Sequence, residues 1–368
     1  MMSMRRAGVP LVFSLAVAAT GCGGGNATDA VDATDTDVTD ADDLPVVDAA
    51  PRPDGIPGDI FSLTWGPLDV DPGEEDTRCV TLELSNDTEI KVRAMRNQLG
   101  NSSHHLIVYR DNSGDPLNAT PTPCQAFAGT LNPSGMSGPI MITQRADESL
   151  LLPNDVAYTF APHQHIKLEM HFINTSEQVQ TLSAQTDFTS VDPTTVSQEA
   201  DFLFIGSPDI QLPACSAQDE SCPPQTVEAF FNPPPSLDDL NIFAITGHTH
   251  HLGRDMQVAT RATAAADPVP VYAPDNFSWS EPETVSHSPT FPIPSGAGGF
   301  QFSCEYKNTT NAEVTFGEKA SNEMCFFWAY YYPSVGAKVC IHTDQFAGGI
   351  DVCCPDAGPQ ICDNLIQQ

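Results

Sequence analysis

The heptapeptide Ile166-Lys167-Leu168-Glu169-Met170-His171-Phe172 alternates apolar and polar side chains with a period of two. That period belongs to a β-strand with one buried face, and it does not give the three-to-four-residue stripe of an amphipathic helix. Similar short runs rich in β-branched and aromatic residues recur at 81–84, 105–109, 202–205, 242–246 and 326–332. Pro, Gly, Asn and Asp interrupt them every ten residues or so, and no stretch gives a convincing long amphipathic helix. The pattern predicts an all-β protein of packed sheets. Prolines at Pro213, Pro223, Pro224 and from Pro233 to Pro235 mark surface connections and exclude central strands there. A Thr/Ser/Asp-rich segment near Pro193 separates two strand groups, so two tandem antiparallel β-sandwiches are expected, 58–192 and 193–368.

The first 57 residues read differently. Arg5 and Arg6 precede an apolar run at 9–19 that is too short to span a bilayer and suits the core of a secretory signal, taken as 1–22. The protein is therefore expected to be exported. Ala19-Thr20-Gly21-Cys22 resembles the lipobox of bacterial lipoproteins, although Ala19 stands where Leu is usual; an ordinary signal peptide is the alternative. Acylation of Cys22 would tether the chain to a membrane surface, as an outer-membrane lipoprotein facing the periplasm or the cell exterior. Residues 23–57 are Gly, Ala, Thr, Asp and Pro with almost no bulky side chains, a composition that cannot offset its ordering entropy and predicts a disordered spacer. Its aspartates supply much of the net charge of -33, and only 15 Lys and Arg are present with no basic run after the signal. A nucleic-acid partner is excluded on that ground. Setting Cys22 apart leaves ten of the 11 cysteines, an even number suited to disulfides in an oxidising compartment. The adjacent Cys353 and Cys354 suit bridges to two separate partners.

The ten histidines are clustered: His104-His105, His163-Gln164-His165, His171, His248-Thr249-His250-His251, His287 and His342. Grouped neutral imidazoles hold zinc, copper or iron. On an extended strand His248 and His250 project from one face and can meet one metal; a polar strand end is the bland reading. His104 and His105 would point to opposite faces of a regular strand, so joint ligation demands a bulge or a strand end, which Gly100-Asn101-Ser102-Ser103 can provide.

Five segments resemble the copper type II, ascorbate-dependent monooxygenases, in that family's order. They are Ser103-His104-His105-Leu106, Leu168-Glu169-Met170-His171-Phe172, Gly247-His248-Thr249-His250-His251-Leu252-Gly253-Arg254, Cys304-Glu305-Tyr306-Lys307-Asn308-Thr309-Thr310 and Asn322-Glu323-Met324-Cys325. The resemblance implies two jelly-roll domains with one copper each across a solvent-filled cleft. His104, His105 and His171 would hold the electron-transfer copper; His248, His250 and Met324 would hold the oxygen-binding, catalytic copper. Ascorbate or a similar reductant, O2 and a small-molecule substrate hydroxylated at a C–H bond complete the expected reaction. The donor sets agree: a thioether favours Cu(I), and three protein ligands leave a coordination position open. The family's bridges would pair Cys304 with Cys325, Cys79 with Cys124, and Cys222 or Cys215 with Cys340; Cys353, Cys354 and Cys362 have no counterpart.

The substrate site departs from the peptide-hydroxylating members. Their arginine, asparagine and tyrosine fall at Thr246, Phe326 and Trp328, which removes a bidentate partner for a carboxylate. Phe326, Trp328 and Tyr330 share the strand face of Met324, which predicts an aromatic pocket wall and a hydrophobic or aromatic substrate; simple sandwich core is the other reading. His163 and His165 are read as supporting or surface residues, His251 as part of its motif without ligating, and His287 and His342 as structural or exposed. Two further functions use the same residues: a copper-binding lipoprotein for storage, delivery or sensing, and a purely structural module.

Overall fold

A computed structural model of the protein describes residues 58–127, 130, 137–217, 221–317, 319, 321–358 and 362. The expected signal, the spacer and Cys22 lie outside these residues. In chain order the first half forms β1 (Ile60–Val70), β2 (Glu75–Glu83), β3 (Ile90–Leu99), β4 (Ser103–Asp111), β5 (Asn118–Pro123), β6 (Ser137–Thr143), β7 (Asp147–Leu151), β8 (Val156–Phe160), β9 (His165–Ile173), β10 (Gln180–Val191) and β11 (Gln198–Glu199). The second half forms β12 (Asp201–Ser207), β13 (Gln211–Leu212), β14 (Gln225–Phe231), β15 (Asn241–His248), β16 (Gly253–Arg261), β17 (Val269–Tyr272), β18 (Thr284–Pro292), β19 (Gly299–Tyr306), β20 (Val314–Thr315), β21 (Cys325–Tyr332), β22 (Lys338–Thr343) and β23 (Ile350–Cys354). The protein is all-β, with short 3-10 turns at Pro193–Thr195 and Pro235–Leu237.

The first half builds two sheets, one ordered β1-β10-β3-β8-β11 with β7 on β3, the other ordered β5-β2-β9-β4-β6. The second half builds a six-stranded sheet, β18-β15-β21-β12-β22-β23, a four-stranded sheet, β14-β19-β16-β17, and the small pair β13-β20. Hydrogen-bonded sheets therefore part between Glu199 and Asp201, a few residues beyond Pro193. Most pairs are antiparallel, but β11 joins β8 and β12 joins β22 in parallel. Strand position explains the side-chain patterns. In β10 Leu182, Ala184, Thr186 and Phe188 turn inward between exposed or half-exposed neighbours, as one face meets water. In β4, covered on both faces, Leu106, Ile107, Val108 and Tyr109 are all buried.

The strand β21, Cys-Phe-Phe-Trp-Ala-Tyr-Tyr-Tyr, is buried on both faces until Tyr332. Its even-numbered residues Phe326, Trp328 and Tyr330 join a core that also holds Trp65, Ile140, Ile142 and Phe172 of the first half. Its odd-numbered residues Cys325, Phe327, Ala329 and Tyr331 join a second core with Phe300, Phe302 and Met256 of the four-stranded sheet. The six-stranded sheet thus lies between the two halves' remaining layers and packs on both. Each large ring so buried is worth about 1.5–3 kcal/mol of transfer free energy.

Five disulfides close the structure. Cys79 pairs with Cys124 and Cys304 with Cys325. The expected bridge from Cys222 or Cys215 to Cys340 is not formed: Cys215 and Cys222 bridge each other, and Cys340 pairs with Cys353. The reason is register, because β22 and β23 are antiparallel neighbours that set Cys340 opposite Cys353. Cys354 reaches the other way, to Cys362.

Candidate metal centre

Two strand ends and one bulge gather the histidines. Strands β4 and β9 are antiparallel neighbours with His105 directly opposite His171, and their register slips between Ser103 and His105. The slip follows Ser102, at a left-handed φ of 68°, and leaves His104 in a bulge. Without it the neighbouring rings would diverge to opposite faces. With it, His104, His105 and His171 bring one nitrogen each within 4.8 Å of one another. The Nδ1 atoms of His104 and His105 face each other at 3.2 Å. His171 Nε2 lies 3.1 Å from the Glu75 carboxylate, which as an ion only accepts, so its Nδ1 is left with a lone pair.

The second group sits where β15 ends. His248 closes the strand and His250 follows two residues later, with ring centroids 5.2 Å apart. The buried carboxylate of Glu323 accepts the backbone N–H of His250 at 2.8 Å and of Leu252 at 2.7 Å. His250 Nδ1 donates to the carbonyl of Asn322 at 2.9 Å, which places the lone pair of the neutral ring on Nε2. The clamp pins residues 250–252 to the chain that runs into Met324 and β21. Met324 is fully buried, its carbonyl accepts the Tyr306 hydroxyl at 2.7 Å, and the Cys304–Cys325 bridge anchors the next residue.

Burial decides the protonation of these groups. Desolvation, helped by the other histidines, lowers His104 to about 3 and puts His105 and His248 well below the ordinary imidazole value. His250 falls to about 4 by burial against the raising effect of the Asn322 carbonyl, and burial lowers His171 despite Glu75. All five rings are neutral near pH 7, the form that ligates metal. Burial also raises the Glu323 carboxyl to about 7, against the pull of the N–H groups it accepts.

Both groups open onto one cavity of about 840 Å3, lined by His104, His105, His171, His248, His250 and His251. Phe127 stands between them, its ring 4.9 Å from His105 and 5.9 Å from His248. Trp279 lies 5.6 Å from His104 and 6.4 Å from His251 across the mouth. The fit to a metal rests on orphaned nitrogens: among the described residues, His105 Nε2 and His248 Nε2 are buried without a hydrogen-bond partner. A buried imidazole nitrogen with no partner is costly unless something else satisfies it.

Of the two readings left open for the aromatic face of Met324's strand, pocket wall or sandwich core, the packing favours core. Thr246, Phe326, Trp328 and Tyr330 are buried and do not line this cavity. Phe326 stacks on Phe204 at 4.7 Å, the Tyr330 hydroxyl accepts from Ile142 N at 3.1 Å, and Thr246 bonds Thr284 at 2.7 Å. The shared face is real, but it turns into the core joining the halves. Trp328 alone approaches the site, 5.4 Å from the His248 ring. His163 and His165 pair with Glu83 away from the cavity, and His342 pairs with Asp351. Sequence reasoning missed Phe127, Trp279, Gln144 and Glu75, which come from separated strands and loops with no local motif. Glu323 had a signal, since it sits inside the Asn322–Cys325 segment.

The fold and site together describe an all-β protein whose buried histidines include one group, His104, His105 and His171, that could hold a metal ion. Residues 209–346 match the family model for the C-terminal domain of copper type II ascorbate-dependent monooxygenases. That span carries His248, His250 and Met324 and supports kinship with the family; His104, His105 and His171 fall outside it. Comparison with curated proteins finds no match. Among solved structures, the chain is similar to the major capsid protein of bacteriophage PM2 at 9% identity and a TM-score of 0.35, over 76% of this chain and 99% of that one. It is also similar to empty top-component particles of cowpea mosaic virus at 8% identity and a TM-score of 0.25, over 70% and 88%. Neither likeness is strong enough to carry an argument.

Proposed function

We propose that the protein is a copper-dependent monooxygenase that hydroxylates a C–H bond of a small hydrophobic or aromatic substrate, using O2 and ascorbate or a similar reductant. The observation that carries the reading is the convergence of two neutral histidine groups on one cavity. His104, His105 and His171 would hold one copper, and His248, His250 and Met324 the other. Copper, when bound, supplies the one-electron steps and the activation of oxygen. The chain supplies the rest. Glu75, Asn322 and Glu323 orient ligand rings or their backbone, burial keeps the imidazoles unprotonated, and Ala126, Phe127, Ile173 and Trp279 give the cavity an apolar wall for the substrate. Within this reading the chain forms two tandem jelly-roll sandwiches, 58–192 and 193–368, carried on a membrane surface through Cys22.

Copper content after reconstitution, with X-ray absorption of the reduced form, tests the assignment. The expected result is about two coppers per chain, with a copper–sulfur signal that vanishes in Met324→Ala and persists in His104→Ala. One copper or none, or a sulfur signal indifferent to Met324, defeats it. Two coppers without reductant-dependent oxygen consumption would favour a carrier.

A further inference from the structure

Gln144 follows β6, in the first half of the chain, yet its side chain reaches the second histidine group. Its Oε1 lies 3.1 Å from His248 Nδ1 and its Nε2 donates to the backbone carbonyl of Trp279 at 3.4 Å. Gln144 is 5% exposed and His248 1%. A backbone carbonyl can only accept, so the amide nitrogen of Gln144 must face Trp279. Its oxygen must then face His248, and the imidazole must carry its proton on Nδ1. The consequence falls on the opposite side of the ring, where Nε2 is buried, without a partner among the described residues, and left with a lone pair. Apolar rings close in elsewhere, Trp328 at 5.4 Å and Phe127 at 5.9 Å.

We propose that Gln144 is a positioning residue that sets the tautomer of His248, presenting Nε2 as a metal ligand, so that the first half of the chain tunes the second half's site. The metal part of this inference rests on the copper reading; the tautomer part does not. With Gln144 replaced by an apolar residue, nothing would hold the proton on Nδ1, and the share of rings carrying it on Nε2, where it occupies the ligating lone pair, would rise. Partners of this kind change metal affinity by about tenfold to a hundredfold.

The test uses two-bond 15N–1H spectra of the metal-free protein labelled in its histidines, with the His248 signal identified by its absence from His248→Asn. Cu(I) affinity is then measured by chelator competition for wild type, Gln144→Leu and Gln144→Glu. The expected result is an Nδ1–H tautomer in wild type and Gln144→Glu, and a shift toward Nε2–H in Gln144→Leu. Affinity at the second group should fall about tenfold or more in Gln144→Leu, recover in Gln144→Glu, and stay unchanged at the first group. An Nε2–H tautomer in wild type overturns the proposal even if Gln144→Leu does not fold, and so does a Gln144→Leu protein with unaltered tautomer and affinity. The expected tautomers in a protein that binds no copper would uphold the role of Gln144 and defeat the monooxygenase reading alone.

Discussion

The two histidine groups reach similar ends by different means. His104, His105 and His171 stand on two hydrogen-bonded neighbours of one sheet, and their geometry is inherited from strand register plus a single bulge. His248 and His250 stand on a strand end and the turn beyond it, and their geometry is imposed by side chains, Glu323 from the approach to β21 and Gln144 from the other half. Register is set by many backbone bonds and a buried face, so losing one contact barely moves it. A clamp made by one carboxylate is exposed to single substitutions. The first group should therefore be robust to changes around it and the second fragile.

The largest effect expected from this contrast comes from Trp328, whose ring packs in the core shared by the halves and against His248. Trp328→Ala should cost about 3–5 kcal/mol in denaturant unfolding, and at permissive temperature should loosen copper at the second group only. Equal loss at both groups would break the comparison. Next is a pH effect at another contact between halves, where Thr284 donates to the buried Glu148 carboxylate. Burial raises Glu148 to about 7 from 4.5, so the folded chain holds a proton that the unfolded chain has lost between those values. Stability from this group is complete below the unfolded value and is lost as pH rises through the folded one. Glu148→Gln should therefore gain about 3 kcal/mol over wild type between about pH 4 and about pH 8; thermal melts that run parallel across that range would refute it. The smallest effect is at Glu323, where Glu323→Gln replaces one of two accepting oxygens by a donor. It should cost about 1–3 kcal/mol and weaken copper retention at the second group while the first is untouched, as dialysis against a chelator would read.

Much of this was legible in the residues. The period of two placed the strands, and the need for a bulge at His104 followed from adjacent histidines having to meet. What could not be read was which neighbour covers a strand. Phe326, Trp328 and Tyr330 share a face in any register, but whether that face lines a pocket or meets another sheet depends on β6, remote in sequence. The cysteines show the same limit, because Cys340 finds Cys353 through the β22–β23 hairpin rather than through any spacing carried over from relatives. Gln144 had no local mark at all, since its partner lies 104 positions away along the chain.

The core shared by the two halves also bears on the order in which the chain can be completed. It begins at Trp65 and takes in Val339 and Ile341 near the far end. A ribosome delivering residues in sequence must pass Ile341 before that core can close. Until then Ile140, Ile142 and their neighbours lack the cover that Phe326, Trp328 and Tyr330 supply, so the nascent first half carries an apolar face that invites self-association or a holding chaperone. The same sheet that welds the two halves makes the early history of the first dependent on strands delivered much later.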